Sequence, residues 1–132
     1  MSASKAKSSS HSTRKSFTRK VELLLPKIEK NPGKALRWAA YQGDTISTVA
    51  CLRVINDPNE VNSRGSPALI LAASRGHGTV VRLLVDDNRV DPNIMDRESF
   101  TPLMWASDQN HADVVKLLLA DERVDPNIAE ET

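Results

Sequence analysis

Asp91-Pro92-Asn93 lies 34 residues after Asp57-Pro58-Asn59 and 34 residues before Asp125-Pro126-Asn127. A tripeptide that returns at a fixed period of roughly 20–50 residues marks a repeat array, in which one supersecondary unit is stacked on copies of itself. The match continues on both sides. Val80-Val81-Arg82-Leu83-Leu84-Val85 returns as Val114-Val115-Lys116-Leu117-Leu118-Leu119, and Arg89-Val90-Asp91-Pro92-Asn93-Ile94 returns as Arg123-Val124-Asp125-Pro126-Asn127-Ile128. Proline drives the preceding Asp out of helical geometry, and Asn tolerates turns, so each tripeptide predicts a loop between units.

Working upstream, Leu36-Arg37-Trp38-Ala39-Ala40-Tyr41-Gln42-Gly43 aligns with Leu69-Ile70-Leu71-Ala72-Ala73-Ser74-Arg75-Gly76 and then with Leu103-Met104-Trp105-Ala106-Ser107-Asp108-Gln109-Asn110. Leu and small residues three and four apart lie on one face of a helix about two turns long. Ala39, Ala72 and Ala106 share a slot where a methyl lets helix backbones approach. Each segment stops at Gly43, Gly76 or Asn110, the residue types that most readily take the left-handed conformation closing a helix. Thr101-Pro102 supplies an N-cap hydroxyl and a proline at the first helical position. Ser66-Pro67 offers the same pair one residue out of register, which predicts a helix start shifted by one.

A second helix follows each stop. Its apolar residues are Ile46, Val49 and Ala50 in the first unit, Val80, Val81, Leu83 and Leu84 in the second, and Val114, Val115, Leu117 and Leu118 in the third. They cover more than one face, as in a helix buried on both flanks. The first unit is one residue short around Asp44-Thr45. Residues 60–66 and 94–100 are expected to form hairpin-like fingers leading back to the next helix. Ser99 stands where Gly65 does, and would be strained if the finger needs positive φ there.

The ends differ from the array. Residues 1–16 are rich in Ser and Lys, which predicts a disordered basic tail. An inert extension, a contact with import machinery or an acidic surface, and a mitochondrial transit peptide are its three open roles. Val21, Leu23, Leu24, Leu25 and Ile28 then form an apolar cluster interrupted by Pro26. Residues 17–30 read as an N-terminal capping helix, followed by a turn at Asn31-Pro32-Gly33. The chain of 132 residues, 39% apolar, is long enough for about one domain. That gives a tail over 1–16 and a repeat domain over 17–132, with units at about 34–66, 67–100 and 101–128. The net charge of +1 conceals six Lys and Arg and no acid within residues 1–20, so the remainder is acidic. A single cysteine, Cys51, excludes an internal disulfide and a cysteine-rich zinc site. No apolar run reaches the roughly 18 residues of a membrane span, and no secretory h-region is present. These features point to an intracellular location, cytoplasmic or nuclear.

Finger, Thr-Pro-Leu, a short helix ending in Gly-His, then a Val-x-x-Leu-Leu helix: this pattern resembles the ankyrin repeat. The residues that carry it are Thr101-Pro102-Leu103-Met104-Trp105-Ala106, Gly76-His77, His111, Val81-Arg82-Leu83-Leu84 and Val115-Lys116-Leu117-Leu118, within roughly residues 34–128. The resemblance implies an all-α helical repeat solenoid with short β-hairpin-like finger loops. Met104 and Ile70 stand where the family usually has His, the Asp-Pro-Asn loop is longer than the common form, and the first repeat is degenerate. The resemblance also implies that His77 and His111 bridge adjacent loops by hydrogen bonds. Finally, it implies a concave recognition surface on the fingers and first helices. By position, this surface comprises Tyr41, Gln42, Arg64, Ser66, Ser74, Arg75, Arg97, Glu98, Phe100, Asp108 and Gln109.

No Gly-rich phosphate loop, catalytic carboxylate pair or nucleophile–base pair is present in the sequence, so a non-enzymatic protein-binding module without cofactor or metal is expected. Phe100 and Tyr41 lead the expected contacts, because aromatic and Arg residues are enriched at hot spots. Trp38 and Trp105 share a repeat position with Leu71, which favours packing for both. Asp86-Asp87 and Asp121-Glu122 read as solvated loop charges. Nucleic-acid or anionic-surface binding through the tail is the alternative function, disfavoured by the acidic body. A fragment of a larger repeat protein without independent function is the other. The last helix carries no polar substitutions on Val114, Val115, Leu117, Leu118 or Leu119, so an open apolar face, and self-association through it, are also expected.

Overall fold

The computed structural model of the chain describes residues 28–127. Six helices lie wholly within them: α1 (Pro32–Gln42), α2 (Thr45–Val54), α3 (Ala68–Arg75), α4 (Gly78–Val85), α5 (Pro102–Asp108) and α6 (Ala112–Leu119). Residues 28–30 are helical as well, and Ile28 joins the core. The rest of the expected capping helix and the tail over 1–16 lie outside the described residues. No strand occurs among the described residues, and none of their helices is long and apolar enough to cross a membrane.

The helices pack in pairs, α1 on α2, α3 on α4 and α5 on α6. First helices form one row, α1–α3–α5, and second helices another, α2–α4–α6. Small residues make the first row possible: Ala39, Ala40, Ala72, Ala73 and Ala106 are 0% exposed. Gly43, Gly76 and Asn110 end the first helices at φ 74°, 75° and 65°, as their residue types predict. Thr101 caps α5 by accepting from the Met104 N–H at 3.2 Å.

Three local expectations are corrected. Asn31-Pro32-Gly33 is no free turn but the start of α1: Asn31 is the N-cap, accepting from the Lys34 N–H at 3.0 Å, and Pro32 sits in the first turn. The Ser66 hydroxyl does not cap α3. Pro67 holds the N-cap place without a side-chain bond, so α3 starts in register with α5 and is not shifted. In α2 the buried residues are Ser47, Thr48 and Cys51, while Ile46, Val49 and Ala50 are half-buried. Ser47 and Thr48 take the slots that Val80 and Val81 fill one unit later. They can do so because their hydroxyls donate to Asp44 Oδ2 at 2.6 Å and the Asp44 carbonyl at 2.8 Å. The first unit therefore stays in register past Asp44-Thr45, and its missing residue falls after Cys51. Burial, with the Asp44 carboxylate adding to it, pushes the Cys51 thiol up to about 11. It is a protonated, small apolar residue.

The repeated tripeptide has a structural job. Asn59 donates through Nδ2 to the Arg89 carbonyl at 2.8 Å and accepts from the Asp91 N–H at 2.8 Å. Asn93 repeats both bonds with Arg123 and Asp125, at 2.6 and 2.8 Å. Each Asn thus pairs with the backbone one repeat onward. Arg89 strengthens the seam: Nη1 donates to the Ile55 carbonyl at 2.7 Å, Nη2 to the Leu52 carbonyl at 2.8 Å, and Asp87 holds the guanidinium at 2.7 and 3.0 Å. Arg123 does the same for Val90 and Val85, held by Asp121. Carbonyls at helix ends have no intrahelical partner; those of Leu52, Ile55 and Val85 are supplied by the next repeat, as is the loop carbonyl of Val90. Asp87 and Asp121, expected as solvated charges, are the anchors of these arginines. Hydrogen bonds from Arg89 and Arg123 hold their carboxyls below the ordinary 3.8.

The last helix is less open than its composition suggests. Val114 and Leu118 are 0% exposed, packed against the preceding unit. Val115 and Leu117 are half-buried against the same core. Of the five residues, Leu119 alone is largely exposed, at 51%.

Candidate functional site

On α1, Leu36, Ala39 and Ala40 turn into the core. Arg37, Trp38 and Tyr41 therefore fall on the opposite side, where they line an open groove of about 1210 Å³. Lys34 joins them. Ile70, Leu71, Ser74 and Arg75 line it from α3, and Trp105 and Gln109 from the last repeat. The fingers contribute Asn62, Ser63, Arg64, Ser66, Asp96, Arg97 and Glu98.

Backbone bonds set the fingers. Asn62 Oδ1 accepts from the N–H groups of Arg64 and Ser66 at 2.9 and 3.0 Å, and the Asn62 N–H closes on the Ser66 carbonyl at 3.1 Å. Asp96 repeats the pattern with Glu98, at 3.0 Å, and with Phe100, whose N–H and carbonyl are both engaged. The Arg97 N–H donates to the Arg64 carbonyl at 3.1 Å, tying one finger to the next. Gly65 and Ser99 occupy φ 76° and 65°, so the strain expected at Ser99 is present.

Aromatic side chains divide by partner. Trp105 donates from Nε1 to Asp96 Oδ2 at 2.8 Å and packs on Phe100, with ring centroids 5.1 Å apart. Arg75 lies over the Tyr41 ring at 4.5 Å, within cation–π range. Trp38 is 51% exposed and has no such partner among the described residues. The two histidines serve the backbone: His77 Nε2 lies 3.0 Å from the Tyr41 carbonyl and His111 Nε2 3.1 Å from that of Ser74. A carbonyl only accepts, so Nε2 carries the proton in both. The two residues bridge adjacent repeats as expected, but each acceptor is a carbonyl in the last turn of a first helix and not in a loop.

The family pattern described as ankyrin repeats, three copies, matches residues 36–130. The chain belongs to the ankyrin-repeat family. No curated protein matches it. Ankyrin repeats are generally protein–protein interaction modules and typically non-catalytic.

In this ankyrin array the groove brings together Tyr41, Arg64, Ser66, Ser74, Arg75, Arg97, Glu98 and Gln109 of the expected surface. Gln42, Phe100 and Asp108 lie outside its lining. Phe100, expected to lead the contacts of the recognition surface, is half-buried and packs tilted against Trp105. Ser66 is only 6% exposed. Ser74 spends its hydroxyl on the Leu71 carbonyl at 3.1 Å. Asp108 is exposed and accepts from Gln109. Trp105, half-buried, packs against Phe100 and is held at the groove by Asp96, in keeping with the packing role expected of it. The residue that sequence reasoning assigned to packing and the fold exposes is Trp38. Its signal was available: it sits one position before the buried Ala39 slot, off the Leu36–Ala39–Ala40 face.

Proposed function

We infer that this ankyrin array binds a protein partner in the groove between its fingers and first helices, without chemistry of its own. The observation that supports the reading is Trp38. A large aromatic, half-exposed in a concave surface that Arg64, Arg75 and Arg97 also line, is the combination from which interface hot spots are drawn. Tyr41, at 42% exposed, adds a second contact whose ring face is already set by Arg75. Phe100, engaged with Trp105, contributes less.

The test compares proteins captured by the wild-type chain with those captured by Trp38→Ala, Tyr41→Ala, Phe100→Ala and Arg53→Ala. Arg53 is exposed on α2, away from the groove lining. Affinity for the purified partner should fall by about 2 kcal/mol, roughly thirtyfold, in Trp38→Ala. It should fall less in Phe100→Ala and not at all in Arg53→Ala. A partner whose affinity survives both the Trp38 and Tyr41 changes binds elsewhere, and the assignment of the groove fails.

A further inference from the structure

Charge in this molecule is segregated. Residues 28–127 carry eleven Lys and Arg against fourteen Asp and Glu. Yet the groove lining has five cations, Lys34, Arg37, Arg64, Arg75 and Arg97, against two acids, Asp96 and Glu98. The cationic excess is therefore concentrated on one concave face of an otherwise acidic body.

Availability matters as much as number. Arg37 faces Glu60 at 4.0 Å. Asp96 accepts from two finger N–H groups and the Trp105 indole and pairs with none of the groove arginines, so its charge offsets one of the five cations without occupying a guanidinium. Among the described residues, the guanidiniums of Arg64, Arg75 and Arg97 have no hydrogen bond and no carboxylate partner. Each presents a planar fork of donors that matches a carboxylate two bonds at a time. The Arg97 N–H bond to the Arg64 carbonyl fixes the two finger backbones side by side.

We propose that the partner enters this groove as an acidic peptide segment, its carboxylates on Arg64, Arg97 and Arg75 and an apolar side chain against Trp38. The inference rests on the groove being the partner site, and adds the chemistry of what fills it. A single-stranded nucleic acid would also seek cations and aromatics, but it needs free ring faces in succession. Here the Tyr41 face is covered by Arg75, and Trp105 and Phe100 pack on each other.

The test is panning a phage-displayed random dodecapeptide library on the full chain and, in parallel, on Arg64→Glu/Arg97→Glu. The basic residues 1–20 are the same in both proteins, so affinity carried by them is common to both arms. Fluorescence anisotropy then measures the selected peptides, with an oligo-dT strand as the competing probe, and circular dichroism checks that the variant keeps its fold. The expected result is wild-type peptides rich in Asp and Glu. They should weaken at least about tenfold on the double variant and also on Trp38→Ala, and outbind oligo-dT. Selected peptides that need Trp38 but show no acid excess would overturn the acidic partner while leaving the groove reading intact. Peptides indifferent to Trp38→Ala and to the double variant would overturn both. Tighter binding of oligo-dT, or no enrichment of any peptide, also overturns the proposal.

Discussion

Arg89 and Arg123 recur at the repeat spacing, and so do Arg64 and Arg97, but the two pairs are used in opposite ways. Each seam arginine reaches two carbonyls of the preceding repeat and is gripped by a carboxylate two residues before it. Each finger arginine has its main chain bound and its guanidinium unengaged. Residue type therefore says little about which arginines serve folding and which are free for recognition. What separates them is whether orphan acceptors lie within reach. The ends of α2 and α4, and the loop at Val90, leave such carbonyls at the seam. At the fingers, Asn62 and Asp96 have already satisfied the backbone.

The sharpest way to break the seam is Gly76→Ala. The backbone there is left-handed, at φ 75°, and an added Cβ would meet His111 Nδ1 at 2.5 Å. A left-handed non-glycine residue costs about 1–2 kcal/mol, and displacing His111 from the Ser74 carbonyl removes about 1 more. A loss of about 2–3 kcal/mol, or roughly 10 °C or more in Tm, is expected by thermal unfolding. Asn110, at the third stop, has no described histidine beyond it and accommodates a side chain at φ 65°.

Arg89→Ala tests the comparison directly. Removing charge-assisted bonds to two carbonyls should cost about 1–2 kcal/mol, discounted because the side chain is partly exposed. Arg64→Ala should stay within about 0.5 kcal/mol of wild type. Equal losses in urea melts would mean that the finger arginines are structural too. Arg89→Lys should recover little, since one ammonium cannot reproduce the fork. At the finger, Ser99→Gly should relieve the positive φ and raise stability by up to about 1 kcal/mol, read as a higher urea midpoint.

The smallest effect is on acid stability. The carboxyls of Asp87 and Asp121 titrate below the ordinary 3.8 in the folded chain. Their contribution is thus present above that value and is lost as pH falls through the folded pKa. Unfolding followed from pH 5 downward, a range about one unit above the ordinary carboxylate value, should show a component that flattens in Asp87→Asn. An unchanged acid limb would mean that Asp87 is no more ionised in the folded chain than in the unfolded one.

The array was legible because several local signals agreed: the 34-residue period, the left-handed stops and the Thr101 cap all point to one unit. What escaped were features set by polar substitution or by distance. Ser47 and Thr48 occupy valine slots because Asp44 satisfies them, which an apolar count passes over. Arg89 and Arg123 reach carbonyls more than thirty residues away, which spacing alone does not reveal. At the groove, finger positions were found by analogy of register, but exposure was misjudged for Phe100 and Trp38. Both errors arose from reading a residue's character instead of its angle around the helix or its nearest ring.

The direction of the seam bonds carries one more implication, for synthesis. Arg89 serves acceptors 34 and 37 residues before it, and Arg123 serves acceptors 33 and 38 residues before it. His111 likewise donates to Ser74, 37 residues earlier. For these arginine and histidine bonds the acceptors are made first on the ribosome and wait for donors, whereas Asn59 and Asn93 donate forward to carbonyls made later. Each unit leaves the tunnel with these seam carbonyls open to water and is sealed only when the following unit is complete. The nascent array closes from behind, and the growing end is always its least finished one.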